Sequence, residues 1–297
     1  MRRSYARNMP GTPDTGRVEI PTRTLVHALV HGDGSVDTGE LYTVAGALGM
    51  SDQQVRLCVK RLVAEGRFTH EGRGRKAVLR ATEDARRTLE PNVEFVRHAF
   101  RQDRGEAPWD GAWRLVAFAI PESARSARDA LRDTIVWLGG AALHGGLYAG
   151  ANDWTELISA EAHRLGVSDA VTQLTSRDLR IGAIDQPRSL AAKLWPLDEI
   201  AGRYARLLEI VRPRLARLQS GNDFTDVELL TIGVELGVEF SRAIEPDPLL
   251  PPELLPTPWP GRQARTLLTQ AWSTLSEQDQ TNTTHRLYRL YEDLSRP

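Results

Sequence analysis

The sequence predicts an α+β, multidomain fold: an N-terminal winged helix-turn-helix, a central ferredoxin-like α/β sandwich and a mainly helical C-terminal domain. Three observations predict it. Three short amphipathic helices and a glycine-bounded hairpin come first, within about 60 residues. Strand and helix patterns then alternate over roughly 80 residues. From Leu190 the periodicity is helical, broken by one proline-rich segment. A chain of 297 residues suits two or three domains. We expect a disordered tail at 1–21, the winged helix at 22–90, a connector helix and linker at 91–108, the sandwich at 109–189 and the helical domain at 190–297.

Met1–Thr22 is rich in Arg, Gly and Pro and has no apolar stretch, so it reads as a tail rather than a leader. Val26, Leu29 and Val30 mark a first helix over Thr22–His31, and Gly32-Asp33-Gly34-Ser35 breaks it. A second helix over Thr38–Leu48 turns Leu41, Val44, Ala45 and Leu48 inward, and Gly49-Met50 makes a tight turn. Ser51 with Gln54 three residues on forms a capping box. Val55, Cys58, Val59, Leu62 and Val63 then recur with helical period as one buried stripe. Gly66 stops this third helix. Phe68–Glu71 and Ala77–Arg80 pair as a hairpin around the flexible tip Gly72-Arg73-Gly74-Arg75-Lys76.

Glu83–Leu89 continues as a helix until Pro91. Asn92–Arg101, with Val93, Val96, Ala99 and Phe100 on one face, is a connector helix, and polar Gln102–Pro108 ends the first unit. All seven tryptophans lie at 109 or beyond. Trp113–Ile120 is a strand stopped by Pro121, Ser123–Leu138 a helix, Ala142–Ala149 a strand, Asp153 the cap of a helix to Leu165, and Ala170–Leu174 a further strand. That order is the ferredoxin-like one with some strands unassigned. Leu197–Leu218 is a long amphipathic helix that Pro213 should kink. Phe224–Ile244, Arg262–Leu275 and Thr283–Leu294 are helices, and Asp247–Gly261, with six prolines, is extended or turned.

The net charge of −1 excludes a wholly electrostatic, histone-like DNA binder but not a modular one. Between Ser51 and Arg87 there are ten Lys/Arg against five Asp/Glu, so the basic charge is local. The exposed side of the third helix offers Gln53, Gln54, Arg56, Lys60 and Arg61, and the hairpin tip adds Arg73, Arg75 and Lys76. Gln pairs bidentately with adenine, Arg and Lys read guanine or neutralise phosphate, and a helix has the width of the major groove. We take these eight residues as the candidate contacts to double-stranded operator DNA. Taken alone, the helix reads more readily as a solvated surface helix; the preceding helices and the basic hairpin tip favour DNA.

The single cysteine, Cys58, sits on the apolar stripe and reads as a structural thiol. No Cys/His cluster has metal spacing. Ile135–Asn152 carries no formal charge but is glycine-rich and too weakly apolar to span a membrane. A cytoplasmic protein without cofactor is expected.

The stretches WDGAWRLVAFAIPE (Trp109–Glu122), ARDALRDTIVWLGGAALHGGLYAGA (Ala127–Ala151) and DPLLPPELLPTPWPG (Asp247–Gly261), in that order behind the winged helix, resemble the PaaX family of bacterial transcriptional regulators. The resemblance covers about Thr22 to Leu294. It implies a dimeric repressor of aromatic-acid catabolism genes, released from an imperfect palindrome by a small-molecule effector such as phenylacetyl-coenzyme A. It also implies a central domain similar to the spacer-acquisition nucleases of CRISPR systems. The family often carries an aromatic in the wing where this chain has Arg67 or Leu79.

A metal-dependent nuclease of the central fold needs an acid at the end of its first strand, but here Phe118-Ala119-Ile120-Pro121 precedes Glu122. Gly72-Arg73-Gly74 lacks the spacing of a phosphate loop, and no nucleophile-elbow or zinc-protease motif occurs. The chain reads as a non-enzyme. A winged helix used only for protein–protein contact remains the rival. For an acyl-coenzyme A, Arg114, His144, Tyr148, Trp154 and Trp195 are available cations and aromatics. Each reads more readily as core or surface, and none is assigned to a site.

Overall fold

The computed structural model describes residues 16, 18–83, 85, 93–221 and 223–278. Among these, helices α1 (Thr22–Ala28), α2 (Thr38–Ala47) and α3 (Asp52–Ala64) combine with strands β1 (Ser35–Asp37), β2 (Phe68–Glu71) and β3 (Val78–Ala81). The strands form an antiparallel sheet in the order β1-β3-β2. The three-residue β1 is not expected from the sequence: it starts at Ser35, the last residue of the glycine-containing break after α1, and pairs Val36 with Leu79. Leu25, Leu41, Val44, Val55, Leu62, Phe68 and Leu79 fill the centre and are almost completely buried.

The ends of α3 follow from its sequence. Ser51 Oγ accepts from the Gln54 amide, and Gln54 Oε1 accepts from the Ser51 N–H at 2.8 Å. At the other end Gly66, with φ +68°, donates to Val63 O at 3.0 Å while Arg67 N donates to Leu62 O at 2.9 Å. Those two bonds form a Schellman cap, which requires the left-handed conformation glycine adopts freely.

Helix α4 (Val93–Asp103) follows, then β4 (Trp113–Phe118), α5 (Arg125–Trp137), β5 (Ala141–His144), β6 (Leu147–Gly150), α6 (Thr155–Arg164) and β7 (Val171–Ser176). The second sheet is antiparallel in the order β5-β6-β4-β7. This β-α-β-β-α-β chain with that strand order is the ferredoxin-like arrangement. The single strand expected over Ala142–Ala149 is instead a hairpin: Gly145 and Gly146, at φ +46° and +89°, turn the chain between β5 and β6. Two consecutive positive-φ residues are what a tight two-residue hairpin demands. On one face α5 and α6 bury Val116, Leu131, Ile135, Tyr148 and Ile158. On the other, Trp113 stacks on Trp195 with ring centroids 6.2 Å apart.

The remainder is helical: α7 (Pro187–Leu194), α8 (Leu197–Leu218), α9 (Asp226–Ile244) and α10 (Pro260–Gln278). Helix α8 packs on both α9 and α10. It continues through Pro213, expected to kink it; the Glu209 carbonyl, denied its bond by the proline, lies on an exposed residue where water can take it. The proline-rich segment between α9 and α10 is mostly irregular, with one short 3-10 turn at Pro252–Leu254.

Three expectations need correction or placement. A disordered tail is expected through residue 21, but Val18 is buried, Arg214 Nη2 donates to Gly16 O at 3.1 Å, and Arg242 Nη2 donates to Glu19 O. Gln102, expected in a polar terminus, is buried because α4 runs on and seats it against Leu249 O at 2.8 Å. The helices expected at Glu83–Leu89 and Thr283–Leu294 lie wholly or mostly outside the described residues. Helices α1 and α2 pack directly on α9, so the N-terminal and C-terminal parts share one continuous core.

Candidate nucleic-acid interface

Because Val55 and Leu62 hold α3 to the core, helical geometry turns Gln53, Gln54, Arg56, Leu57, Lys60 and Arg61 outward, and all six are exposed. Among the described residues, Arg56, Lys60 and Arg61 make no ion pair, whereas nearby Arg23 is tied to Glu65 and Arg80 to Glu71 at 3.0 Å. The cations on this face are thus available to an outside partner. Gln54 is not equivalent to Gln53: its Oε1 is committed to the Ser51 cap, at 2.8 Å from the backbone nitrogen and 3.0 Å from the hydroxyl.

Arg73 and Lys76 are exposed on the turn between β2 and β3; Arg75 shares that turn by its backbone, and its side chain lies outside the described residues. The tip was expected to be flexible, but the structure ties it down. Thr38 Oγ1 lies 3.0 Å from Gly74 O and 2.8 Å from Ala77 O, and the Thr38 N–H donates to Ala77 O at 3.2 Å. Gly72, at φ +88°, keeps the turn close, since a Cβ there would come within 3.3 Å of Ala77 Cα. The base of the hairpin is closed by Thr82, whose N–H donates to Arg67 O at 3.0 Å and whose Oγ1 lies 2.9 Å from Gly66 O. Sequence reasoning missed Thr38. Nothing in the local pattern marks Thr38 beyond its place at a helix start, where Asp37 caps α2 by accepting from Glu40 N at 2.8 Å.

Cys58 is half-buried on the inner side of α3, and burial raises its thiol pKa, so little nucleophilic thiolate forms there. Among the described residues no group of three or more His, Cys, Asp or Glu is placed to hold a metal ion, and no helix is long and apolar enough to cross a membrane.

Of the unassigned effector candidates, the structure brings Arg114, Tyr148 and Trp154 to one cavity under α5 and α6. Trp195 is core on the opposite face, its Nε1 donating to Gly139 O at 3.1 Å, and His144 is exposed at the β5–β6 turn.

A second polar centre lies among α4, α8, α10 and the proline-rich segment. Tyr204 donates to Asp247 Oδ2 at 2.6 Å, and Arg265 donates to Tyr204 Oη at 2.9 Å and to both oxygens of Asp103. Burial pushes the pKa of Asp247 up, against the pull of Arg265. Burial alone would lower that of Arg265, but Tyr204, Asp103 and Asp247 outweigh it and raise it.

The arrangement is that of a helix-and-hairpin module carried on a ferredoxin-like sheet and a helical C-terminal part. Residues 106–190 match the family model described as the PaaX protein central Cas2-like domain, and residues 195–284 match that of the PaaX-like protein C-terminal domain. The chain belongs to the PaaX family. It is 26% identical over 242 residues to the transcriptional repressor PaaX of Escherichia coli K12, covering 81% of this chain and 74% of that protein. Among solved structures it is similar to the uncharacterized protein Rv0674 from Mycobacterium tuberculosis, with 20% identity, a TM-score of 0.49, and 86% of this chain and 94% of that one covered.

Proposed function

We propose that this protein is a transcriptional repressor whose N-terminal module is a winged helix. In this reading α3 enters the major groove and the β2–β3 hairpin is the wing. The observation that carries it is the exposed basic face of α3, whose Arg56, Lys60 and Arg61 make no ion pair among the described residues, with Gln53 at its N-terminal end, next to an anchored basic hairpin tip. The E. coli relative's name, a transcriptional repressor, supports the regulatory role. Gln53, Arg56, Lys60 and Arg61 contact bases and phosphates. Gln54 contributes its remaining amide N–H groups, and Arg73, Arg75 and Lys76 contact flanking phosphates.

Two copies bind half-sites about one helical turn apart. An aryl-acyl-coenzyme A such as phenylacetyl-coenzyme A releases them by preferring a conformation whose helices no longer match that spacing. The regulated genes are those of aromatic-acid breakdown, and the protein catalyses no reaction.

Fluorescence anisotropy on duplex DNA from the gene's own upstream region tests this. Salt is titrated first; then phenylacetyl-coenzyme A and free phenylacetate are added separately. The expected result is tight binding that falls steeply with salt and is released by the thioester. Equal, salt-insensitive behaviour on this duplex and a scrambled one rejects the DNA reading in favour of a protein-binding winged helix.

A further inference from the structure

Between α5, α6 and the sheet face beneath them lies a cavity of about 110 Å³ that opens to solvent. Its existence follows from one residue type. Gly150 occupies the wall on β6 opposite Arg114, and a Cβ there would meet no atom within 4 Å. Val116, Ile135, Leu138, Tyr148 and Ile158 make the rest of the lining apolar. Arg114 and Trp154 complete the lining, and Arg114 Nη1 and Trp154 Nε1 are two buried donors without an acceptor among the described residues. Buried donors are rarely left this way, so the cavity is shaped and equipped for something that supplies an acceptor.

The charge balance narrows what that is. Arg114 Nη2 already meets Asp110 Oδ2 at 2.6 Å and Asp153 Oδ2 at 3.3 Å, so two carboxylates answer one guanidinium. A further anion would face an excess of negative charge, whereas a neutral oxygen would not. Size narrows it again. The volume is well below the roughly 300–1,000 Å³ of sites that enclose drug-sized ligands, and on the order of the ~150 Å³ apolar cavity that admits benzene. A ring-sized group fits, and anything larger must continue through the mouth.

We infer that this cavity receives the acyl end of the effector: a compact apolar group whose neutral carbonyl oxygen is taken up by Arg114 Nη1 and Trp154 Nε1. The inference rests on the ligand-responsive reading above and gives it a site. It also gives a route to the DNA-facing part. Trp154 packs edge-on against His98, ring centroids 4.9 Å apart, and Asn152 of the cavity wall lies 3.1 Å from His98 Nε2 and 3.3 Å from Gln102 Nε2. His98 and Gln102 belong to α4, the helix that leads from the N-terminal module into the sheet. An occupant that moves Trp154 or Asn152 therefore acts on α4.

The test uses the full chain and three probes. Phenylacetamide and phenylacetate share a ring and differ in charge; phenylacetyl-coenzyme A adds the thioester and a long tail. Binding is measured by calorimetry and DNA release by anisotropy. Phenylacetamide and the thioester should bind, and phenylacetate should bind about tenfold more weakly or worse. Gly150→Val fills the cavity with a strand-compatible side chain and should weaken both binders at least about tenfold. Trp154→Phe keeps a ring but removes the donor and should weaken them about fivefold.

The cavity assignment is overturned by unchanged affinity in both variants, by preference for the carboxylate, or by no probe binding the wild type. Thioester release of DNA that survives both substitutions also overturns it while leaving the regulator reading intact. Conversely, probe binding that follows this pattern in a protein that ignores DNA keeps the cavity and rejects the regulator.

Discussion

Arg265 donates through Nε and Nη2 to the two carboxylate oxygens of Asp103, at 2.6 and 2.8 Å, joining α10 to α4 across 162 positions of sequence. Both side chains are nearly buried, 6% and 14% exposed. A two-bond guanidinium–carboxylate pair fixes orientation as well as distance. The connector helix is thereby held at its C-terminal end to the C-terminal helices, and at its middle, through His98, to Asn152 in the turn after β6.

Asp103→Ala leaves the Arg265 guanidinium buried with Tyr204 and the more distant Asp247 as its remaining partners. The expected cost is about 3–5 kcal/mol, the usual penalty for breaking a buried pair from one side. Chemical denaturation should show a large fall in midpoint. A change under about 1 kcal/mol would mean that the pair is solvated in solution.

Replacing Arg73, Arg75 and Lys76 together by Ala should lower DNA affinity on every sequence and flatten the dependence of affinity on salt, by about one unit of slope per lost phosphate contact. An anisotropy salt series on specific and scrambled duplexes measures both. An unchanged slope removes the wing from the interface.

Thr38→Val should weaken DNA binding without removing any DNA-facing group. The valine retains the shape but not the hydroxyl that holds Gly74 O and Ala77 O. We expect a stability loss of about 1–3 kcal/mol and an affinity loss that the Arg73/Arg75/Lys76 triple variant does not add to. Full additivity of the two would show that the anchor and the wing act separately.

The two glutamines should behave differently. Gln53→Ala should alter which base is preferred, read by binding to a panel of single-base operator variants. Gln54→Ala removes half of the capping box and should cost about 0.5–2 kcal/mol of stability, with smaller change in preference. Identical preference profiles for the two variants would place them in the same role.

Acid should loosen the α4 junction. Burial lowers the His98 pKa below its ordinary value of 6.5, with the Asn152 hydrogen bond acting the other way and Arg101 adding to the fall. The folded state therefore binds this proton less readily than the unfolded chain. Its share of stability is complete above that ordinary value and is lost as pH falls through it toward the folded value. His31, raised chiefly by the Glu40 carboxylate 3.5 Å from its Nε2, contributes in the opposite sense: its share is present below 6.5 and lost as pH rises. His98→Gln should flatten the pH dependence of unfolding as pH falls through and below 6.5. If the slope there is unaltered, His98 is not the group responsible.

Where local chemistry decides an element, the sequence was enough to read it. Ser51, Gln54 and Gly66 bracket α3 because caps are short-range, and the stripe beginning at Val55 identified its inner face. Leu197–Leu218 was read to the residue because an unbroken amphipathic period needs no partner to declare itself. What escaped depends on distant chain. Strand β1 is three residues long and exists by virtue of pairing with β3. The Thr38 anchor and the burial of Gln102 come from contacts 36 to 147 positions away. The Ala142–Ala149 strand failed for a nearer reason: alternation was followed across Gly145-Gly146, where two glycines should have been read as a turn.

Because α1 and α2 lie directly on α9, the N-terminal module is not a detachable cartridge. Excised at residue 90, it would present an oily underside to water and tend to precipitate. Swapped into a relative, it would meet a foreign α9 contour. On the proposal that α3 reads the operator, an engineer wishing to redirect that choice should repaint the outward residues of α3 in place, or transplant α9 along with the module it carries.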